Sequence, residues 1–377
     1  MPFTYLDNSA TTRVCREAAR KAFDLMTADF GNPSSLHSLG FRAEQEMETA
    51  RKSVAAFIGC PTDCLVFTSG GTEANNLAVL GGTAAYSRRG KHIITTAVEH
   101  PSVSVACDAL EKEGYEITRL VPDSDGMITS AALAEVLRPD TVLVSIMMVN
   151  NETGALFPIA DLVKTVRRLS PHALFHCDAV QAAGKLAVNA ARLGVDFLTV
   201  SAHKLHAPKG CGALYIRKGV RVLPRLLGGG QEKGIRSGTE STPLIAAFGE
   251  AVRRLPTPQY QQQHFEDLYH RLTEGLTRSG GFVIRKPAVH VPYICNFSMP
   301  GYRSETLLHF LAERDIFVSS GSACSKGKKS AVLTAMGISQ AEIDSALRIS
   351  FCMENTADDV DRLLTALSEA RESLAHT

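Results

Sequence analysis

Val195-Asp196-Phe197-Leu198-Thr199-Val200-Ser201-Ala202-His203-Lys204-Leu205-His206 is the stretch whose reading decides the fold of this chain. Residues 195–200 form a short apolar run rich in β-forming side chains, which predicts a strand. The run stops in a polar cluster containing a lysine, and the turn-rich Pro208-Lys209-Gly210-Cys211-Gly212 follows. An open α/β sheet places its chemistry at strand ends of this kind. Lys204 is therefore a candidate for covalent catalysis through a Schiff base, set against the plain alternative of a solvated lysine.

The same pattern recurs outward from this stretch. Leu65-Val66-Phe67-Thr68 runs into Ser69-Gly70-Gly71-Thr72-Glu73-Ala74-Asn75-Asn76, which opens a helix through Ala85. His92–Thr96 runs toward Glu99-His100-Pro101-Ser102, with a helix expected over 102–112. Thr141–Val149, the most apolar run, ends in Asn150-Asn151-Glu152-Thr153-Gly154. Leu174-Phe175-His176 leads to Cys177-Asp178-Ala179-Val180-Gln181, and a helix is expected over 182–193. Further strands are expected at 115–121 and 212–216, and further helices at 15–28, 40–58 and 130–137. Alternation of this kind predicts an α/β fold with an open, mostly parallel sheet covered by helices on both faces. The five polar clusters that follow strands then converge on one rim.

Pro256-Thr257-Pro258 and Gln261-Gln262-Gln263 suggest a hinge into a long helix ending near 278. Beyond it, strand-like segments at 281–285, 293–298, 316–319 and 347–351 alternate with helices at 304–313, 330–336 and from Thr356 onward. This predicts a smaller α+β domain. The division expected is a large domain over 15–256, with 1–14 and 257–377 forming the small one.

Composition narrows the function. With 45% hydrophobic and 21% charged residues the chain reads as a soluble globular protein, and a net charge of +1 gives no electrostatic case for a nucleic-acid or membrane partner. No apolar run reaches the roughly 18 residues of a membrane helix. Met1–Asp7 carries neither a basic nor an apolar leader pattern. Nine scattered cysteines, none spaced Cys-x-x-Cys, predict neither a zinc ribbon nor a disulfide framework, and suit a reducing cytoplasmic setting.

The strand-end clusters hold the parts that a pyridoxal 5'-phosphate site requires. Lys204 supplies the amine. Asp178, at the preceding strand end, suits the pyridine nitrogen, and Gln181 lies one helical turn further on. Thr72 and the N–H groups near Gly71 suit a phosphate, because glycines between a strand and a helix let amides approach an anion. Ser201 and His203 lie beside them, and His100 is placed to stack on the ring. Cys324 sits in Ser319-Ser320-Gly321-Ser322-Ala323-Cys324-Ser325-Lys326-Gly327-Lys328-Lys329, a loop of small residues with lysines just beyond. Nearby positive charge favours a thiolate, so Cys324 is the candidate nucleophile. The other eight cysteines read as core.

These segments, together with Tyr5-Leu6-Asp7-Asn8, Gly31-Asn32-Pro33-Ser34-Ser35-Leu36-His37 and Arg236-Ser237-Gly238-Thr239, resemble cysteine desulfurases in order from about residue 4 to 365. Those are fold-type I, class V aminotransferase-like enzymes. The resemblance implies a seven-stranded-type sheet in the large domain and a pyridoxal-phosphate-dependent conversion of L-cysteine to L-alanine. It implies that Arg348 grips the substrate carboxylate, helped by Asn151 and Asn8, and that Lys204 moves the Cα proton. Cys324 then takes the sulfur as a persulfide, with His100 exchanging a proton near it. Thr239 is implied to reach the phosphate of a neighbouring subunit, hence a homodimer with shared active sites. A sulfur-acceptor protein in iron–sulfur cluster assembly or tRNA thiolation is the implied partner. The chain departs from the usual pattern at Gly71, Ala207 and Cys352, and in a short loop between Cys324 and Val332.

Overall fold

The computed structural model describes residues 3–320 and 329–375. Its strands are β1 (Thr4–Tyr5), β2 (Leu65–Thr68), β3 (His92–Thr96), β4 (Glu116–Leu120), β5 (Thr141–Ser145), β6 (Leu174–Asp178), β7 (Phe197–Ser201), β8 (Gly212–Ile216), β9 (Val283–Arg285), β10 (Ile294–Ser298), β11 (Ile316–Phe317) and β12 (Ala346–Ser350). A seven-stranded sheet has the order β2-β8-β7-β6-β5-β3-β4. β8 alone runs antiparallel to its neighbours, so β2 through β7 all point the same way. Their carboxyl ends therefore share one rim, as the alternation predicts. β2, β3, β5, β6, β7 and β8 are buried along their whole lengths. That is why they read as continuous apolar runs rather than alternating ones.

A second sheet has the order β12-β10-β9, and β1 pairs with β11 in a two-stranded ladder. One hydrophobic core runs through both halves, from Leu6 and Ala22 through Val144 and Phe175 to Phe297 and Leu347. The terminal helix Ala357–Ser373 starts at a reciprocal cap in which Thr356 and Asp359 satisfy each other's backbone N–H groups.

The structure corrects three readings. Residues 179–189 are turns, an isolated bridge and irregular backbone, and within 182–193 only Ala190–Leu193 is helical. Gly184 explains the break: its φ is +78°, and a Cβ there would lie 2.6 Å from Leu205. The central strand ends at Ser145 instead of Val149. Beyond it the backbone folds back on itself, with Phe157 N donating to Met148 O at 2.9 Å and Asn150 N donating to Ala155 O at 2.9 Å. Finally, β11 spans only Ile316–Phe317, and a short helix, Gln340–Asp344, stands where none was expected.

Candidate active site

The five clusters meet on the rim. At its centre Asp178 ends β6, almost fully buried. Its Oδ2 accepts from Asn75 Nδ2 at 2.7 Å and its Oδ1 from Val180 N at 2.9 Å. Asn75 stands on the helical run that begins at Gly71 and continues to Ala85, and its amide also reaches Ser102 Oγ at 2.8 Å. Ser102 Oγ lies 2.8 Å from His100 Nδ1. His100 caps the helix Pro101–Lys112 by accepting from Ser102 N. Burial pushes the His100 imidazole below its ordinary range, and Lys204 adds to the effect while Asp178 opposes it.

Lys204 occupies the single turn Ala202–Lys204 that follows β7. Its Nζ donates to the carbonyls of Ser9 and, at 2.6 Å, Ala10. Residues 9–15 form a strap over this turn. Thr12 donates through both N and Oγ1 to His203 O at 2.9 Å, His206 N donates to Thr12 Oγ1, and Cys15 N donates to His206 O. Gln181 Nε2 donates to the same Ser9 carbonyl at 2.9 Å. His203 Nδ1 sits 3.2 Å from Thr11 Oγ1, and burial together with Lys204 pushes the His203 imidazole down to about 4.

These residues fit a pyridoxal phosphate. Ser201 Oγ, Gln181 Oε1 and Asn75 Oδ1 are buried at this rim with no hydrogen-bond partner among the described residues, and a buried polar atom of that kind calls for a ligand or solvent. The space over Gly70 is open: a Cβ there would meet nothing within 4 Å. Thr72 is exposed at the start of the helix. Gly71 lies against Ser201, its notional Cβ 3.8 Å from Ser201 Oγ. Glu73, one residue beyond Thr72, accepts from Ser69 N at 2.8 Å and from Arg236 Nε at 2.9 Å. This joins the helix start to the glycine-rich loop that carries Thr239, which is itself exposed.

The opposite wall comes from elsewhere in the chain. Arg348 on β12 is 2% exposed, with Nη2 donating to Asp7 Oδ1 at 2.7 Å and Nη1 to Asn151 O at 2.9 Å. Its Nε is buried without a partner among the described residues. Burial raises the Asp7 carboxyl above its ordinary value, opposed by Arg348 and Lys204. Asn8 Nδ2 donates to Ser350 O at 2.9 Å and to Asn355 Oδ1 at 3.1 Å, tying β12 to the N-terminal segment. Ser319 pairs with Arg348 through the backbone, and Ser330 Oγ donates to Glu152 Oε2 at 2.5 Å. Cys324 lies outside the described residues. Cys352 is buried, and burial pushes its thiol up to about 11. Among the described residues no group of three or more His, Cys, Asp or Glu is placed to hold a metal ion.

Sequence reading missed Asn75, Asp7 and Glu99 as site residues. Asn75 carries a signal, since it lies one helical turn beyond Gly71; Asp7 lies inside a quoted segment without a role assigned to it.

Comparisons with known proteins agree with this geometry. The aminotransferase class-V profile matches residues 4–363. The cysteine desulfurase IscS of Methanosarcina thermophila is 39% identical, with 98% of this chain and 92% of that protein covered. A solved NifS-like protein superposes with a TM-score of 0.93 at 35% identity, covering 99% of this chain and all of that one. A structure described as SspA in complex with cysteine superposes with a TM-score of 0.81 at 33% identity, covering 92% of this chain and 98% of that one. On the fold, the lysine turn and these relatives together, the chain belongs to the aminotransferase class-V family of pyridoxal-phosphate enzymes, among its cysteine desulfurases.

Proposed function

We propose that this protein converts L-cysteine to L-alanine and passes the sulfur to its own Cys324. The observation that carries the reading is a chain of contacts across the rim. Arg348 Nη2 donates to Asp7 Oδ1 at 2.7 Å, Ala10 N donates to Asp7 O at 3.0 Å, and Lys204 Nζ donates to Ala10 O at 2.6 Å. On the same rim Asn75 Nδ2 joins Asp178 Oδ2 to Ser102 Oγ, which lies 2.8 Å from His100 Nδ1.

The site divides the work. Bound pyridoxal phosphate supplies an electron sink for the pair released at the substrate Cα. Asp178 would hold the ring nitrogen, Ser201, His203, Gly71 and Thr72 would hold the phosphate, and Gln181 would stand beside the ring. Arg348 binds the substrate carboxylate as a charge-assisted pair, with Asn151 beside it and Asn8 fixing the segment that carries Asp7. Lys204 takes and returns the Cα proton. The Cys324 thiolate attacks the substrate sulfur. As the new S–S bond forms, the C–S bond breaks, its electron pair stays with carbon, and a proton from solvent or His100 completes alanine. Cys324 is left as a persulfide.

The working unit is a homodimer in which Thr239 reaches the partner's phosphate. Exposure of Leu227 in the same loop and of Phe30 and Leu36 before the helix Ser38–Phe57 supports an apolar interface. The domain division is 15–256 against 1–14 with 257–377, supported by the pairing of β1 with β11. The persulfide serves a sulfur-acceptor protein in cluster assembly or tRNA thiolation in the cytoplasm. Among the described residues no helix is long and apolar enough to cross a membrane.

The test is release of alanine and sulfide from L-cysteine by wild type, Cys324→Ala and Lys204→Ala. Both variants are expected to lose turnover. Full desulfurase activity in Cys324→Ala would sink the persulfide route. Failure of the purified protein to take up pyridoxal phosphate would sink the whole reading.

A further inference from the structure

One buried acid at the rim has no part in the chemistry above. Glu99 follows β3 and immediately precedes His100, and its side chain is buried. Its Oε1 accepts from Thr96 Oγ1 at 2.8 Å and from Met147 N at 3.0 Å. Its Oε2 is buried without a partner among the described residues. These contacts replace a missing strand. β3 ends at Thr96, whereas the segment after β5 continues past that point. Met148 N still finds a neighbour, Asp178 O, at 2.9 Å on the β6 side. Met147 N has, among the described residues, the Glu99 carboxyl group as its acceptor. Asn150 Nδ2 adds a bond to Val98 O at 3.0 Å across the same gap.

We propose that Glu99 is a positioning residue, its carboxyl group standing in for the absent strand and so fixing where His100 and Asp178 stand relative to each other. The inference rests on the desulfurase reading only for what those two residues do; the lock itself is a property of the fold. Burial is the main cause that pushes the Glu99 carboxyl up to about 8, and the facing Asp178 raises it further. Cys177 on β6 and Cys107 on the helix Pro101–Lys112 face it too, and both thiols are themselves raised, first by burial. The proposed lock therefore includes a Glu99 carboxyl group that keeps its proton near neutral pH. That suits the place: an ionised Glu99 would set a buried charge with no counter-ion beside the Asp178 carboxyl group.

Three readouts test this. Infrared difference spectra of the cofactor-free protein, wild type against Glu99→Gln, should show a protonated-carboxyl band at pH 6 to 7 that the variant lacks. Between the ordinary 4.5 and about 8 the folded protein holds a proton that the unfolded chain has lost. The Glu99 contribution to stability therefore falls as pH rises through that window and is level above it. Glu99→Gln should remove that slope from the thermal midpoint measured against pH. In the loaded enzyme, Glu99→Gln keeps the acceptor oxygen and should hold alanine formation within about threefold of wild type, while Glu99→Ala should lose about tenfold or more. If Glu99→Ala does not fold, Thr96→Val, which removes one of the two donors, replaces it, with a loss of about threefold expected. Absence of the infrared band and of the pH slope would overturn the neutral acid. Equal activity in wild type and Glu99→Ala or its Thr96→Val substitute, or equal damage in the Gln and Ala variants, would overturn the positioning role. A protein with no desulfurase activity would fail the functional reading while leaving the spectroscopic and stability tests in force.

Discussion

The two walls of the active site are built in opposite ways. The cofactor floor is made from one sheet. Asp178, Ser201 and the Lys204 turn end adjacent strands β6 and β7, and Asn75 comes from the helix that follows β2. The substrate wall is a junction of separate pieces. Arg348 sits on the second sheet, and its partners Asp7, Asn151 and Ser319 come from three other segments. The floor inherits the rigidity of a ladder buried on both faces. The wall depends on a few charge-assisted bonds between distant segments, so its geometry should be softer and more exposed to single substitutions. The contrast suits the chemistry: a cofactor must be held through every cycle, while substrate and sulfur must enter and leave.

The largest expected effect tests the floor. If Lys204 is the group that moves the Cα proton, as proposed, Lys204→Ala should lower alanine formation by about 10³-fold or more. The visible band of the lysine-bound cofactor should disappear with it, while equilibrium dialysis should still find pyridoxal phosphate held by the remaining floor residues. Loss of all cofactor binding in this variant would break the comparison, since the floor would then depend on one residue.

Arg348 tests the wall. Arg348→Lys keeps the charge and loses the planar fork, so KM for L-cysteine should rise by about 10²-fold with a smaller change in kcat. Asp7→Ala leaves the buried guanidinium of Arg348 without its carboxylate, and should cost about 3 kcal/mol of stability in denaturant unfolding. An equal fall in kcat and kcat/KM for Arg348→Lys would mean that the residue acts in the transition state alone, and would move it from the wall to the floor.

The two walls were also unequally legible. The floor could be read because each of its strands is a short buried run and each polar cluster follows directly in sequence, so Lys204 and Asp178 stand out locally. The bonds that finish it could not. Asn75 reaches Asp178 across 103 residues, and Arg348 reaches Asp7 across 341. No periodicity encodes such pairings, which follow from topology. The helix expected over 182–193 failed for a local reason: alanine-rich composition favours helix, and the left-handed Gly184 packed against Leu205 overrides it. The strand expected to reach Val149 ended early because β3 stops and its neighbour's backbone turns to a side chain, Glu99, for a hydrogen bond.

His100 stands at the start of the helix Pro101–Lys112, beside Ser102, and its charge state separates two accounts of the pH profile. Its imidazole is held below the ordinary 6.5, first by burial. It should therefore stay neutral through mildly acidic pH, and the acid limb of kcat should fall below 6.5. In His100→Gln that limb should vanish, with a rate loss of about tenfold at neutral pH. A limb that persists unchanged in the variant would assign the titration to another group on the wall, such as Asp7 or Glu152, whose carboxyls burial raises.

The smallest expected effect is the sharpest test of softness in the wall. Ser330 holds one end of the segment that carries Cys324, donating to Glu152 while its oxygen caps the helix Ala331–Ala335 through Leu333 N at 3.0 Å. Ser330→Ala removes both bonds and should cost about 1 kcal/mol of stability. If the wall is a loose junction, sulfur transfer should fall only about threefold, while binding of L-cysteine, proposed to rest on Arg348, should not change. Ser330→Thr keeps the hydroxyl and should restore both. A loss in cysteine binding equal to the loss in transfer would show that the two ends of this wall move together, and that it is as cooperative a unit as the floor.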